Sequence, residues 1–148
     1  MRRGRNGRAF FSGLETCGSV WECAVCSQRV SMHRAEQIRE LLRLCREQGG
    51  EAYMLTRTVP HDQGDRLVDV KRIVADAWRF GQSGKPWRKQ QVRLGLAGRV
   101  RALEVTVGEH GWHPHLHILL ICERALGDPA DSEVLLEFVA WVCERWRH

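Results

Sequence analysis

Two hydrophobic periods run along this chain. Met32, Ala35, Ile38, Leu41, Leu42 and Cys45 fall three or four apart and predict a helix, closed by Gly49-Gly50. Leu67, Val70, Ile73, Val74, Ala77 and Trp78 predict a second helix, with Asp65 as its N-cap. Leu135, Phe138, Val139, Val142 and Trp146 predict a last one beyond the Gly127-Asp128-Pro129 break. Elsewhere the period drops to two. Residues 51–59, rich in Thr, Val and Tyr and ended by Pro60, predict a strand. Residues 99–107 predict another, turned by Gly108-Glu109-His110-Gly111 into a third over 112–122. Residues 81–87 read as a Gly/Pro loop, and 1–16 as an Arg- and Gly-rich arm, partly disordered.

From residue 51 onward the order is therefore β-α-β-β-α. That is a ferredoxin-like βαββαβ succession lacking its final strand, and it predicts an α+β fold with helices on one face of an antiparallel sheet. Residues 1–48 form a separate N-terminal region of basic arm, cysteine segment and helix; 49–148 form the sheet domain. The missing strand would leave a sheet edge open, and a homodimer through that edge is one expectation.

The histidines change the picture most. A strand sends alternate side chains to opposite faces, so His113, His115 and His117 share one face while Leu116 and Ile118 anchor the other. A lone histidine would read as a residue of a turn at a sheet edge. Three at spacing two, leading into an apolar strand, read as a metal or catalytic site. Glu104 lies 11 residues before His115; across a five-residue turn it comes close to opposite His115 and His117, and a one-residue slip would reverse its face. Two imidazoles and a carboxylate with open positions make a catalytic site, and mixed N and O donors accept Mn²⁺ or Mg²⁺. Glu104 as a cross-strand partner of an arginine is the competing reading.

Cysteine spacing points to a second metal. Cys23-Ala24-Val25-Cys26 is a CxxC knuckle with Cys17 six residues upstream, a set suited to tetrahedral Zn²⁺, with His33 or a distant residue as fourth ligand. A redox pair is the alternative. Cys45, Cys122 and Cys143 fall in apolar patterns and read as core residues.

Composition narrows the class. With 148 residues, 43% of them hydrophobic, the chain can bury a proper core. No apolar run approaches the roughly 20 residues of a membrane span. The start, Met1-Arg2-Arg3-Gly4-Arg5, has no apolar stretch behind it, so neither an anchor nor a signal peptide is expected, and the reading is a cytoplasmic protein. A net charge of +5 and a pI near 9.1 favour a polyanionic partner. Arg79, Lys85, Arg88, Lys89, Arg93, Arg99 and Arg101 lie between Asp76 and Glu104 with no acidic residue among them. Trp78 and Trp87 fall in the same stretch, and aromatic faces beside cations suit single-stranded DNA. A solvated basic helix with a core tryptophan would show the same residues.

The segment from Arg101-Ala102-Leu103-Glu104 through His113-Pro114-His115-Leu116-His117 resembles the metal-binding motif of plasmid rolling-circle replication initiators. These Rep proteins are HUH endonucleases, named for two histidines flanking a hydrophobic residue. Cys17-Gly18-Ser19-Val20-Trp21-Glu22-Cys23-Ala24-Val25-Cys26 is similar to their cysteine-rich segment, and Met54-Leu55-Thr56-Arg57-Thr58-Val59-Pro60-His61 to their first strand motif. The blocks occur in family order. The resemblance implies an HUH/RRM-like catalytic domain that binds a single-stranded or hairpin plasmid origin and nicks one strand. A tyrosine attacks the phosphate, and an ion held by His115, His117 and Glu104 withdraws charge from it.

The departure from that pattern is equally specific. The family's nucleophilic tyrosine lies downstream of the histidine motif and beyond the last helix, whereas this chain has one tyrosine, Tyr53, upstream of it in a position expected to pack. The expectation is a truncated initiator that keeps metal and DNA binding without complete nicking activity. A non-enzymatic DNA-binding remnant or regulator, and a fragment of an HUH transposase or relaxase, remain the other readings.

Overall fold

The structure is a computed structural model that describes residues 2–3, 9–10, 16–127 and 129–146. Most of the expected N-terminal arm, and Asp128 of the expected break, lie outside the described residues. The chain divides into two compact units, Met1–Leu41 and Leu42–His148.

In the first unit, β1 (Arg2–Arg3) and β2 (Ala9–Phe10) pair antiparallel, with Arg2 opposite Phe10, a short ribbon that composition did not foretell. Helix α1 (Ala24–Glu47) starts on the cysteine knuckle and ends in the second unit. The Ser27 N–H donates to the Cys23 carbonyl at 2.8 Å, so Cys23 opens the helix and Cys26 sits buried in its first turn.

The second unit contains β3 (Glu51–Arg57), α2 (Leu67–Gly81), α3 (Gly84–Leu94), β4 (Leu96–Gly108), β5 (Gly111–Cys122) and α4 (Pro129–Trp146). The strands form one antiparallel sheet in the order β3-β5-β4, which makes the unit α+β. It follows the expected succession with one helix added.

That helix replaces the expected 81–87 loop. Gly84 and Pro86 look like breakers, but both fall in the first turn of α3, where backbone N–H groups have no intrahelical acceptor to lose. Trp87, Gln90 and Leu94 then recur at three and four residues on the buried side. Asp65 does not cap α2. The N-cap position belongs to Arg66, and the Asp65 carboxylate instead accepts the Asp62 N–H at 2.7 Å, closing the preceding turn. Ile73, expected in the buried stripe of α2, is exposed.

The core lies on one face of the sheet. Leu116, Ile118, Leu120 and Cys122 of β5 meet Val70 and Val74 of α2, Trp87 and Leu94 of α3 and Phe138 of α4. Trp87 stacks on Trp141 with ring centroids 6.2 Å apart and lies 6.5 Å from Phe138. Arg57, on the same face, places its guanidinium 5.7 Å from the Trp146 ring and donates to the Cys143 sulfur. The other face carries the half-buried histidines of β5, with Met54, Thr56 and Glu104 exposed beside them. Among the described residues no helix is long and apolar enough to cross a membrane.

Candidate metal centre on the open face of the sheet

The hairpin between β4 and β5 decides the site. It turns over two residues, Glu109-His110, where a five-residue turn was expected. Gly111 takes φ +86°, a left-handed conformation that only glycine adopts without strain. An odd loop would have set Glu104 opposite Leu116, on the core side. The two-residue turn sets Glu104 opposite His115, Ala102 opposite His117 and Thr106 opposite His113, while β3 brings Thr56 opposite His117 from the other flank.

The consequence is a line of polar groups across three strands. His117 Nε2 lies 2.8 Å from Glu104 Oε2, and His117 Nδ1 lies 3.1 Å from Thr56 Oγ1. Two donors each about 2.1 Å from one octahedral ion stand about 3.0 Å apart. The 2.8 Å hydrogen bond between His117 and Glu104 is close to that spacing, but among the described residues His115 does not join them with ligand atoms all within 4.8 Å of one another.

Along β5 the imidazoles form a column. The His115 ring is centred 6.0 Å from His117 and 4.1 Å from His113, and His113 is centred 4.4 Å from His61. Burial holds the His113 pKa below the usual histidine value, with further lowering from His115, His61 and His110. Thr56 and His61 are the residues that sequence reasoning missed. Both stand in the strand motif at 54–61, but nothing local indicates that they meet the histidine strand.

The expected basic set does not gather on this face. Arg99 and Arg101 pair across from Leu120 and Ile118, which puts them on the helix side of the sheet. The Arg99 guanidinium lies 5.5 Å from the Trp87 ring and 5.9 Å from Trp78, and Arg101 borders a cleft with Lys71 and Trp78. Arg79 pairs with Asp76 at 3.2 Å, and Arg93 pairs with Glu137 of α4. Lys85, Arg88 and Lys89 are exposed on α3.

Cys17, Cys23 and Cys26 do converge. Their sulfurs lie within 4.8 Å of one another, Cys17 and Cys26 at 3.7 Å. Sulfurs on a tetrahedral zinc, with Zn–S about 2.3 Å, stand about 3.8 Å apart, so the trio fits that ion. His33, two helical turns past Cys26, is not part of the cluster among the described residues. Hydrogen bonds from the Cys26 backbone, then from the Cys26 and Cys17 side chains, lower the Cys23 pKa. At Cys26 the Gly18 backbone acts downward, but the neighbouring sulfurs and burial leave the pKa raised.

Tyr53 faces away from all of this. It stands opposite Leu120 on the core side, and its hydroxyl accepts the Leu126 N–H at 2.6 Å. It packs, as expected.

The chain is 32% identical, over 95% of its length, to the Neomycin resistance protein of Streptomyces cyanogenus. It is 30% identical to the Protein rep of Streptomyces lividans over 89% of its length, and 30% identical to the Protein rep of Bacillus amyloliquefaciens over 69%. The chain is thus similar to Rep proteins over most of its own length, in keeping with the resemblance of its motifs to the plasmid initiators. It spans 40% of the first of these relatives and 35% of the second. No protein-family model and no solved structure matches it.

Proposed function

We propose that this chain is the metal- and DNA-binding part of a plasmid replication initiator of the rolling-circle type, with an HUH site on a ferredoxin-like sheet. The observation that carries the reading is the Thr56–His117–Glu104 line across three strands, with His115 directly opposite Glu104, in a chain similar to Rep proteins.

His115, His117 and Glu104 would hold Mn²⁺ or Mg²⁺, which supplies Lewis-acid polarisation of a DNA phosphate. Thr56 lets His117 serve in both states. In the paired state the carboxylate can only accept, so Nε2 carries the proton and Nδ1 accepts from the Thr56 hydroxyl. As a ligand through Nε2, His117 would carry its proton on Nδ1, which the same hydroxyl oxygen would accept. Such support from outside the ligand set fixes the tautomer and ring orientation of metal-bound histidines.

Lys85, Arg88 and Lys89 on α3, with Lys71 and Arg101 at the β4 edge, would track the backbone of a single-stranded or hairpin origin. Zn²⁺ on the cysteine trio would hold the start of α1. The nucleophile of a nicking reaction is not Tyr53, which lies across the sheet from the histidines. That placement gives weight to a second reading, a DNA-binding regulator without nicking activity.

The test is retention and cleavage of labelled single-stranded DNA hairpins by the purified chain, with and without Mn²⁺. Binding or cleavage that needs Mn²⁺ and is lost in His117→Ala supports the initiator reading. Binding that is indifferent to both leaves the regulator.

A further inference from the structure

The centre above uses His115, His117 and Glu104, and two further imidazoles continue its line. His61 follows β3 in sequence, yet its ring centre lies 4.4 Å from that of His113, which lies 4.1 Å from His115.

The loop carrying His61 is fixed at three points. Val59 is buried in the core. The Thr58 hydroxyl donates to the Pro114 carbonyl at 3.2 Å. At Gly111 a Cβ would stand 3.0 Å from Gln63 Cα and 3.1 Å from the Asp62 carbonyl oxygen, so the loop lies flush against the hairpin turn.

The two rings have complementary free nitrogens. His61 Nδ1 lies 3.0 Å from the Val59 carbonyl, an acceptor only; Nδ1 therefore carries the proton, and the Nε2 lone pair is left over. A ligating histidine typically donates its second ring N–H to a carbonyl or carboxylate in this way. His113 Nε2 is buried and has no hydrogen-bond partner, which a native structure ordinarily resolves with a ligand or water.

We propose that His61 and His113 hold a second divalent ion, beside the Glu104–His117 centre and with water completing its shell. Nitrogen donors without a carboxylate select the borderline transition metals, Zn²⁺, Co²⁺ or Ni²⁺, over Mg²⁺. The inference rests on the reading of Glu104 and His117 as the first centre.

The full chain would be titrated with Co²⁺, with bound ions counted after gel filtration. Thiolate charge-transfer absorption reports the cysteine trio separately. The double variant Glu104→Ala/His117→Ala should lose one ion outside the thiolate band and keep another. His61→Gln should weaken that remaining ion at least tenfold in the same background, while circular dichroism reports an unchanged fold. In the unmutated chain, Zn²⁺ should shift the Nε2 resonances of His61 and His113 in ¹⁵N spectra of the rings. Loss of every non-thiolate ion in the double variant, unaltered binding in His61→Gln, or unshifted His61 and His113 resonances would each overturn the second site. A double variant that loses no ion would instead remove the first centre, and His61→Gln would still report on the second.

Discussion

Glu104 stands directly opposite His115 but bonds diagonally to His117, its Oε2 2.8 Å from Nε2. Diagonal neighbours on a sheet come within reach of long side chains. The carboxylate therefore reaches past its direct partner to the next imidazole along β5. Thr56, on the opposite flank, fixes the ring it reaches.

Replacing Thr56 by Val removes the group that His117 Nδ1 meets and leaves the proposed ligands His115, His117 and Glu104 in place. Loss of such support typically lowers metal affinity about 10–100-fold. Calorimetric titration with Mn²⁺ should show that loss. Thr56 is exposed, so the thermal midpoint should scarcely move.

His113 makes stability depend on pH. Its pKa in the folded chain lies below the ordinary value of 6.5, so below that pH the unfolded state binds more protons than the folded one. Stability should therefore be full above pH 6.5 and decline as the pH falls toward the folded-state pKa. Urea denaturation at pH 7.5 and 5.5 should show the decline in the parent chain and a smaller one in His113→Gln.

Tyr53→Phe should act on stability and leave any DNA cleavage intact. The change strips the acceptor from the buried Leu126 N–H, at a cost of about 1–3 kcal/mol. Cleavage lost in a Tyr53→Phe chain that remains folded would contradict the assignment of Tyr53 to packing.

Trp87 pins α3 against α4 through its stack on Trp141 and its contact with Phe138. Trp87→Ala should cost about 3–5 kcal/mol in chemical denaturation, as for large aromatic truncations in cores. A change below about 1 kcal/mol would mean that α3 contributes little to the core.

The sequence by itself determined the local features: the three helical stripes that became α1, α2 and α4, the strands, and the division of β5 into a histidine face and an apolar face. Each depends on side-chain periodicity within a single element, which the chain states directly. The cysteine cluster was equally legible, because its thiols span only ten residues, Cys17 to Cys26.

What tertiary structure decided was everything that depends on register or on a distant segment. Hairpin parity placed Glu104 with the histidines, and the same register carried Arg99 and Arg101 to the helix side. The packing of Trp87 turned an apparent Gly/Pro loop into α3. His61 reached His113 only because loop 58–64 lies against Gly111. A strand's side chains alternate whatever lies beside it, but which residues meet is set by turn length and by contacts far apart in sequence. Periodicity carries no information about either.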